Sequence, residues 1–116
     1  MTTRHVVSIS HAFAGLLYGF MTQPNFIIHS FISGMVIAAS WYFQISSTHW
    51  AIILLTIAIG FSLEYLNTSI ETTVDLITTT HHPLAKIAKD TAAAAMLVYA
   101  VGAILIASII FIPKIF

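Results

Sequence analysis

With 116 residues the chain has room for a single domain, taken as residues 1–116. Only 7% of its residues are charged and 59% are hydrophobic. A typical soluble domain carries about 25% charged residues, so there is too little charge here to cover a water-soluble surface, and the chain is read as an integral membrane protein. Zero net charge gives no reason to expect nucleic acid or a polybasic tether, and the absence of cysteine excludes thiol catalysis, thiolate metal sites and disulfides. The amino terminus does not read as a signal peptide, because the chain stays apolar instead of opening into a polar mature domain.

Residues 5–22 are predicted to form an amphipathic surface helix. Val6, Ile9, Phe13, Leu16, Leu17 and Phe20 share one face about 100° wide, and Ser8, His11, Gly15, Tyr18, Gly19 and Thr22 share the other. That partition suits a helix lying in the membrane interface. Pro24 breaks it, and the first span is predicted over 26–43, with His29 as its one strongly polar residue. A short uncharged turn at 44–49 leads to a second span, 50–76, beginning at Trp50. Glu64 then lies about 21 Å along the helix, still inside the hydrocarbon, and Glu71 roughly 10 Å further on, at the interface. Pro83 fits the first turn of a third span, 83–112, which is expected to stop at Pro113. Arg4, Lys86 and Lys89 fall on one side of these spans and Lys114 on the other, which puts the amino terminus and the 77–90 connection in the cytoplasm.

The polar residues are concentrated. All four acids, Glu64, Glu71, Asp75 and Asp90, and two of the four basic residues, Lys86 and Lys89, lie between positions 64 and 90. On a helix, Glu64, Asn67, Glu71 and Asp75 form one narrow stripe that emerges from an apolar run. Three explanations are open from the residues alone: pairing of these acids with the lysines to hold helices together, a proton or cation pathway, or a carboxylate-bound divalent metal serving a phosphorylated substrate. Glycines 15, 19, 34, 60 and 102 form no phosphate-cradling loop, so any nucleotide phosphates would fall to metal and lysines. There is no H-E-x-x-H motif, and the adjacent His81 and His82 read as loop residues rather than metal ligands.

The run Glu64-x-x-Asn67-Thr68-x-Ile70-Glu71-x-x-Val74-Asp75, followed by His82-Pro83-Leu84-Ala85-Lys86-x-x-Lys89-Asp90, resembles the prokaryotic diacylglycerol kinase family. The His-Pro-Leu-Ala-Lys-Ile-Ala-Lys-Asp wording is similar to its undecaprenol kinase branch. The likeness extends over nearly the whole chain, from Ala12 and Gly15 through Asn25, Phe26 and His29 to Ile112-Pro113-Lys114. It implies an all-α membrane protein, with an amphipathic interfacial helix and three transmembrane helices, that forms a homotrimer in the bacterial plasma membrane. It also implies ATP-dependent, Mg²⁺-requiring phosphorylation of a membrane lipid alcohol, undecaprenol ahead of diacylglycerol, on the cytoplasmic side.

By the same resemblance Glu64 is the general base and Glu71 the metal ligand, with Arg4, His11, Asn67, Glu71, Asp75, His81, His82, Lys89 and Asp90 as the nucleotide-binding set. The family's second metal-binding glutamate falls at Gln23, where a carbonyl oxygen replaces a carboxylate and one negative charge is lost. Weaker metal binding, compensation by another acid, or a non-catalytic lipid- or nucleotide-binding protein are the alternatives this raises. A small proton-coupled transporter using Glu64 would leave the Lys86, Lys89 and Asp90 cluster unexplained.

Overall fold

A computed structural model describes the backbone of residues 2–116 and the side chains of residues 8–116. The described chain is all helical: α1 (Thr2–Thr22), α2 (Pro24–Tyr42), α3 (Ser47–Ile77) and α4 (Pro83–Ile115). The last three are each long and apolar enough to cross a membrane. Local chemistry sets most of their ends. Pro24 and Pro83 occupy first-turn positions, where a missing N–H costs nothing. Ser46 caps α3 by accepting from the His49 N–H at 3.2 Å, a contact worth about 1 kcal/mol.

Three helix ends lie three residues away from the sequence reading, and the start and end of α2 and the end of α3 shift by one or two. Because Ser46 acts as a cap, α3 starts at Ser47, and His49 belongs to its first turn instead of the preceding loop. The connection is thereby shortened, and Gln44 takes a left-handed conformation with φ of 49° to complete it. At the other end of the chain α4 runs through Pro113 to Ile115. A proline so close to a terminus removes one intrahelical bond, while the Phe116 N–H still reaches the Ile112 carbonyl at 3.0 Å. At the amino terminus α1 begins at Thr2.

α3 is the central helix: it packs against α4, α2 and α1. Near the α2–α3 turn, Ile45, Ile53 and Ile110 are buried together, with Phe43 and Phe111 against them. At the opposite end α1, α2 and α3 meet in an aromatic junction. Phe26 is fully buried there, 4.3 Å from the Tyr65 ring and 5.5 Å from Phe20 between centroids. Gly19 lies in the same junction, where a Cβ would fall 2.6 Å from the Tyr65 ring, and the Tyr65 hydroxyl donates to the Leu16 carbonyl at 2.9 Å. α1 therefore turns its glycine face to the protein and leaves Ile9, Phe13 and Leu17 mostly exposed. A soluble protein's surface helix does the reverse.

Helix lengths fix the levels. The 19 residues of α2 span about 28 Å, close to one hydrocarbon thickness. α3 and α4, with 31 and 33 residues, reach roughly 46 and 50 Å. Since α2 begins beside Tyr65, the segments of α3 and α4 around their connection overhang α2 as a hairpin. From Glu64 to Ile77 that overhang is about 20 Å long.

Candidate active site

The acidic stripe of α3 changes character along its length. Glu64 is only 8% exposed and Thr68 7%. Glu64 lines a cavity of about 340 Å³ between α2, α3 and α4, together with Asn25, His29 and Tyr99. One turn further along, the Asn67 amide donates to Glu71 Oε1 at 3.4 Å, while Asn67 Oδ1 is buried without a hydrogen-bond partner. Asp75, beyond these, is more than half exposed and pairs across to Lys89 of α4 at 2.7 Å. Lys86 and Asp90 form a second, exposed pair along α4.

Pairing of acids with lysines thus accounts for Asp75 and Asp90. It does not account for Glu64 or Glu71, neither of which has an ion pair among the described residues. Two carboxylates at the inner part of the stripe, about 10 Å apart along α3, are left for other work.

The overhanging hairpin encloses a cleft of about 360 Å³ lined by Asp75, Thr78, Thr80, His81, His82, Lys86, Lys89 and Asp90. The connection folds back because the Thr78 hydroxyl accepts from the Thr80 N–H at 3.2 Å. His82 then caps α4, its Nδ1 accepting from the Leu84 N–H at 3.1 Å. An accepting Nδ1 puts the ring proton on Nε2 in the neutral form, so His82 can offer one donor. Two lysines, two carboxylates, two imidazoles and threonine hydroxyls make a cleft suited to a polar, phosphate-bearing ligand.

Of the residues singled out from the sequence, Asp75, His81, His82, Lys89 and Asp90 come together in this cleft, and Asn67 and Glu71 lie one to two turns inward on α3. Glu64 belongs to the separate inner cavity. Gln23 is the N-cap residue of α2, its side chain makes no capping bond, and it lines neither space. His11 is exposed on α1 and lines neither of them. The Arg4 side chain lies outside the described residues. Asn25, Tyr99, Thr78 and Thr80 were not singled out as site residues. Asn25 left a signal in the family likeness, and Tyr99 as the one hydroxyl-bearing aromatic residue in the apolar length of α4.

All five glycines sit within helices, and the groups able to hold phosphates hang from the ends of membrane spans. This is the design of a membrane-embedded lipid kinase rather than of a soluble nucleotide-binding fold. Residues 10–111 match the model of the prokaryotic diacylglycerol kinases, and the chain belongs to that family. It is 46% identical over 111 residues to an undecaprenol kinase of Bacillus subtilis (strain 168), covering 96% of this chain and 90% of that protein. It is 40% identical over 109 residues to a diacylglycerol kinase of Synechocystis sp., covering 93% of this chain and 62% of the longer relative.

Proposed function

We propose that the protein transfers the γ-phosphoryl group of ATP to the hydroxyl of a membrane lipid alcohol, undecaprenol in preference to diacylglycerol. The observation that carries the reading is the division of α3 between a buried carboxylate without a cation, Glu64, and a wetter carboxylate, Glu71, that leads to a lysine-lined cleft. Glu64 is the base that takes the acceptor's proton, since it is the acid within reach of a lipid lying among the spans. Lys89, Asp75, Asp90, His81 and His82 bind the nucleotide, and the family resemblance adds Arg4 and His11 to that set. Preference for undecaprenol is supported by the 46% identity to the Bacillus subtilis enzyme.

The residues fit a hard divalent cation brought in by the nucleotide. Asn67 Oδ1 is a buried carbonyl oxygen without a partner, and the Asn67 amide holds the Glu71 carboxylate beside it. No group of three His, Asp or Glu among the described residues could hold a metal alone. Mg²⁺ commonly takes one or two protein oxygens and completes its shell with water and phosphates. Asn67 and Glu71 would hold it, with Gln23 as a further oxygen donor, and the ion would neutralise charge on the transferring phosphate.

The basic residues support a cytoplasmic amino terminus and cleft. Assembly as a homotrimer is what the family resemblance implies. The test is purified protein in bilayers with Mg²⁺, labelled ATP and each lipid alcohol in turn. Label is expected in undecaprenol, less in diacylglycerol, and in neither with Glu64→Ala or Glu71→Ala. Transfer to no lipid by the unaltered protein, with nucleotide still bound, would overturn it.

A further inference from the structure

The cavity beside Glu64 contains an ionisable side chain that the roles above do not use. His29 lies in the second turn of α2, half-buried, with its ring edge-on to Phe61 at 4.5 Å and parallel to Tyr99 at 6.0 Å between centroids. The Tyr99 hydroxyl is already committed to the Thr56 carbonyl at 2.7 Å. Gly60 admits both rings against α3, since a Cβ there would collide with each. The imidazole is thus held by packing from α3 and α4, yet no hydrogen bond among the described residues reaches its nitrogens. A packed imidazole with free hydrogen-bonding capacity, on the wall of a cavity, is set to meet a ligand.

The cavity walls say what kind of ligand. Asn25, His29 and Glu64 supply its polar groups, and Ile28 and Ile32 of α2 face Met96 and Ala100 of α4. Each of these wall pairs is one helical turn apart, so the walls are ridges parallel to the helices. The groove between them runs from the level of Asn25 towards the bilayer centre. Ile28 and Ile32 are 56% and 55% exposed, so the groove is open sideways to lipid. A polar head at one end and parallel apolar ridges below it match an amphiphile with a terminal hydroxyl and a hydrocarbon tail. They do not match a nucleotide, for which the hairpin offers a separate, charged cleft.

The geometry points to His29 as a substrate-contacting residue for the acceptor lipid: its ring N–H donates to the lipid hydroxyl oxygen, and the first tail carbons lie between Ile28–Ile32 and Met96–Ala100. This rests on the lipid-kinase role of Glu64 and specifies how the acceptor is held. The hydroxyl then accepts from His29 and donates to Glu64, which leaves a lone pair for phosphorus. As the new O–P bond forms, the proton passes to Glu64. The bond to the bridging oxygen breaks, and its electron pair leaves with ADP.

Two measurements test the inference. In bilayers with saturating Mg²⁺, His29→Phe keeps a ring but removes both nitrogens, and is expected to lower kcat/KM for the lipid alcohol by about tenfold or more. KM for ATP stays within twofold, and His29→Gln, which retains a donor, recovers much of the loss. Unchanged acceptor kinetics in His29→Phe, or an equal rise in both KM values, would overturn the assignment. The second measurement does not depend on the variant's folding: the unaltered protein, without ATP, is photolysed with a lipid alcohol carrying a diazirine near its hydroxyl. Label is expected on Ile28, Ile32, Met96 or Ala100. Label confined to other residues, in protein that does phosphorylate the lipid, removes the groove and leaves the kinase reading intact. Label in the groove of protein that transfers no phosphate supports the groove and removes the catalytic reading instead.

Discussion

Gly60→Ala probes the packing that fixes the inner cavity. The added methyl would enter space occupied by the hydroxyl end of Tyr99 and by the His29 ring. On an otherwise exposed helix this change stabilises by about 1 kcal/mol. Here the Tyr99 ring cannot simply swing aside, because its hydroxyl holds the Thr56 carbonyl at 2.7 Å. Moving it forfeits an interhelical hydrogen bond worth about 0.6 kcal/mol on average in a membrane protein, and overpacking adds about 1–3 kcal/mol. The net expectation is a destabilisation of about 1–2.5 kcal/mol. Reversible unfolding in mixed micelles measures it, with Gly102→Ala as the control, since nothing lies within 4 Å of a Cβ at Gly102. The control is expected to be neutral or slightly stabilising. A Gly60→Ala protein as stable as Gly102→Ala would refute the claim that α2, α3 and α4 lock together at this level. Because the same methyl displaces His29, turnover of the lipid alcohol should fall in Gly60→Ala while ATP binding persists.

Glu64→Gln keeps the shape of a buried side chain and removes its basicity. It should lower kcat by roughly 10²–10⁴, or about 3–5 kcal/mol of barrier, without lowering the unfolding midpoint, and a rate within tenfold of the unaltered protein would count against Glu64 as the base. Lys89→Ala removes one partner of an exposed pair with Asp75. Little change in unfolding is expected, with a KM for ATP raised about tenfold as the informative reading. Gln23→Glu adds a carboxylate at the position proposed above as a further oxygen donor to the metal, and on that proposal the half-saturating Mg²⁺ concentration in the transfer assay should fall by about fivefold. An unchanged Mg²⁺ requirement would separate residue 23 from the metal site.

Much of the fold was legible because its determinants are local. Apolar runs of near-bilayer length, prolines at 24 and 83 and the glycine face of α1 are all visible in the residues themselves. The errors occurred where local signals compete. Pro113 was expected to end α4, yet a proline in the final turn sacrifices a single bond and the helix passes it. Reading the uncharged stretch 44–49 as a turn put the start of α3 at Trp50, but Ser46 supplies the cap and the helix begins before it. The stripe itself was legible from helical spacing. Its division was not, because periodicity places Glu64 and Glu71 on one face without showing that Lys89 reaches Asp75 and leaves those two alone.

The depth of Glu64 illustrates the same limit and resolves it. Counting residues along α3 gives a distance from the start of that helix, and the start was misplaced. A neighbour gives the level directly. Asn25, in the first turn of α2, lines the cavity that Glu64 lines, and α2 is about one hydrocarbon thickness long. Glu64 therefore sits at the boundary where the spans emerge, and the residues from Asn67 onward stand on the hairpin beyond it. A lipid's hydroxyl resides at that boundary, while a nucleotide arrives from the water above. One helix continuing past its neighbour by about 20 Å is enough to bring both within the reach of a single acidic stripe.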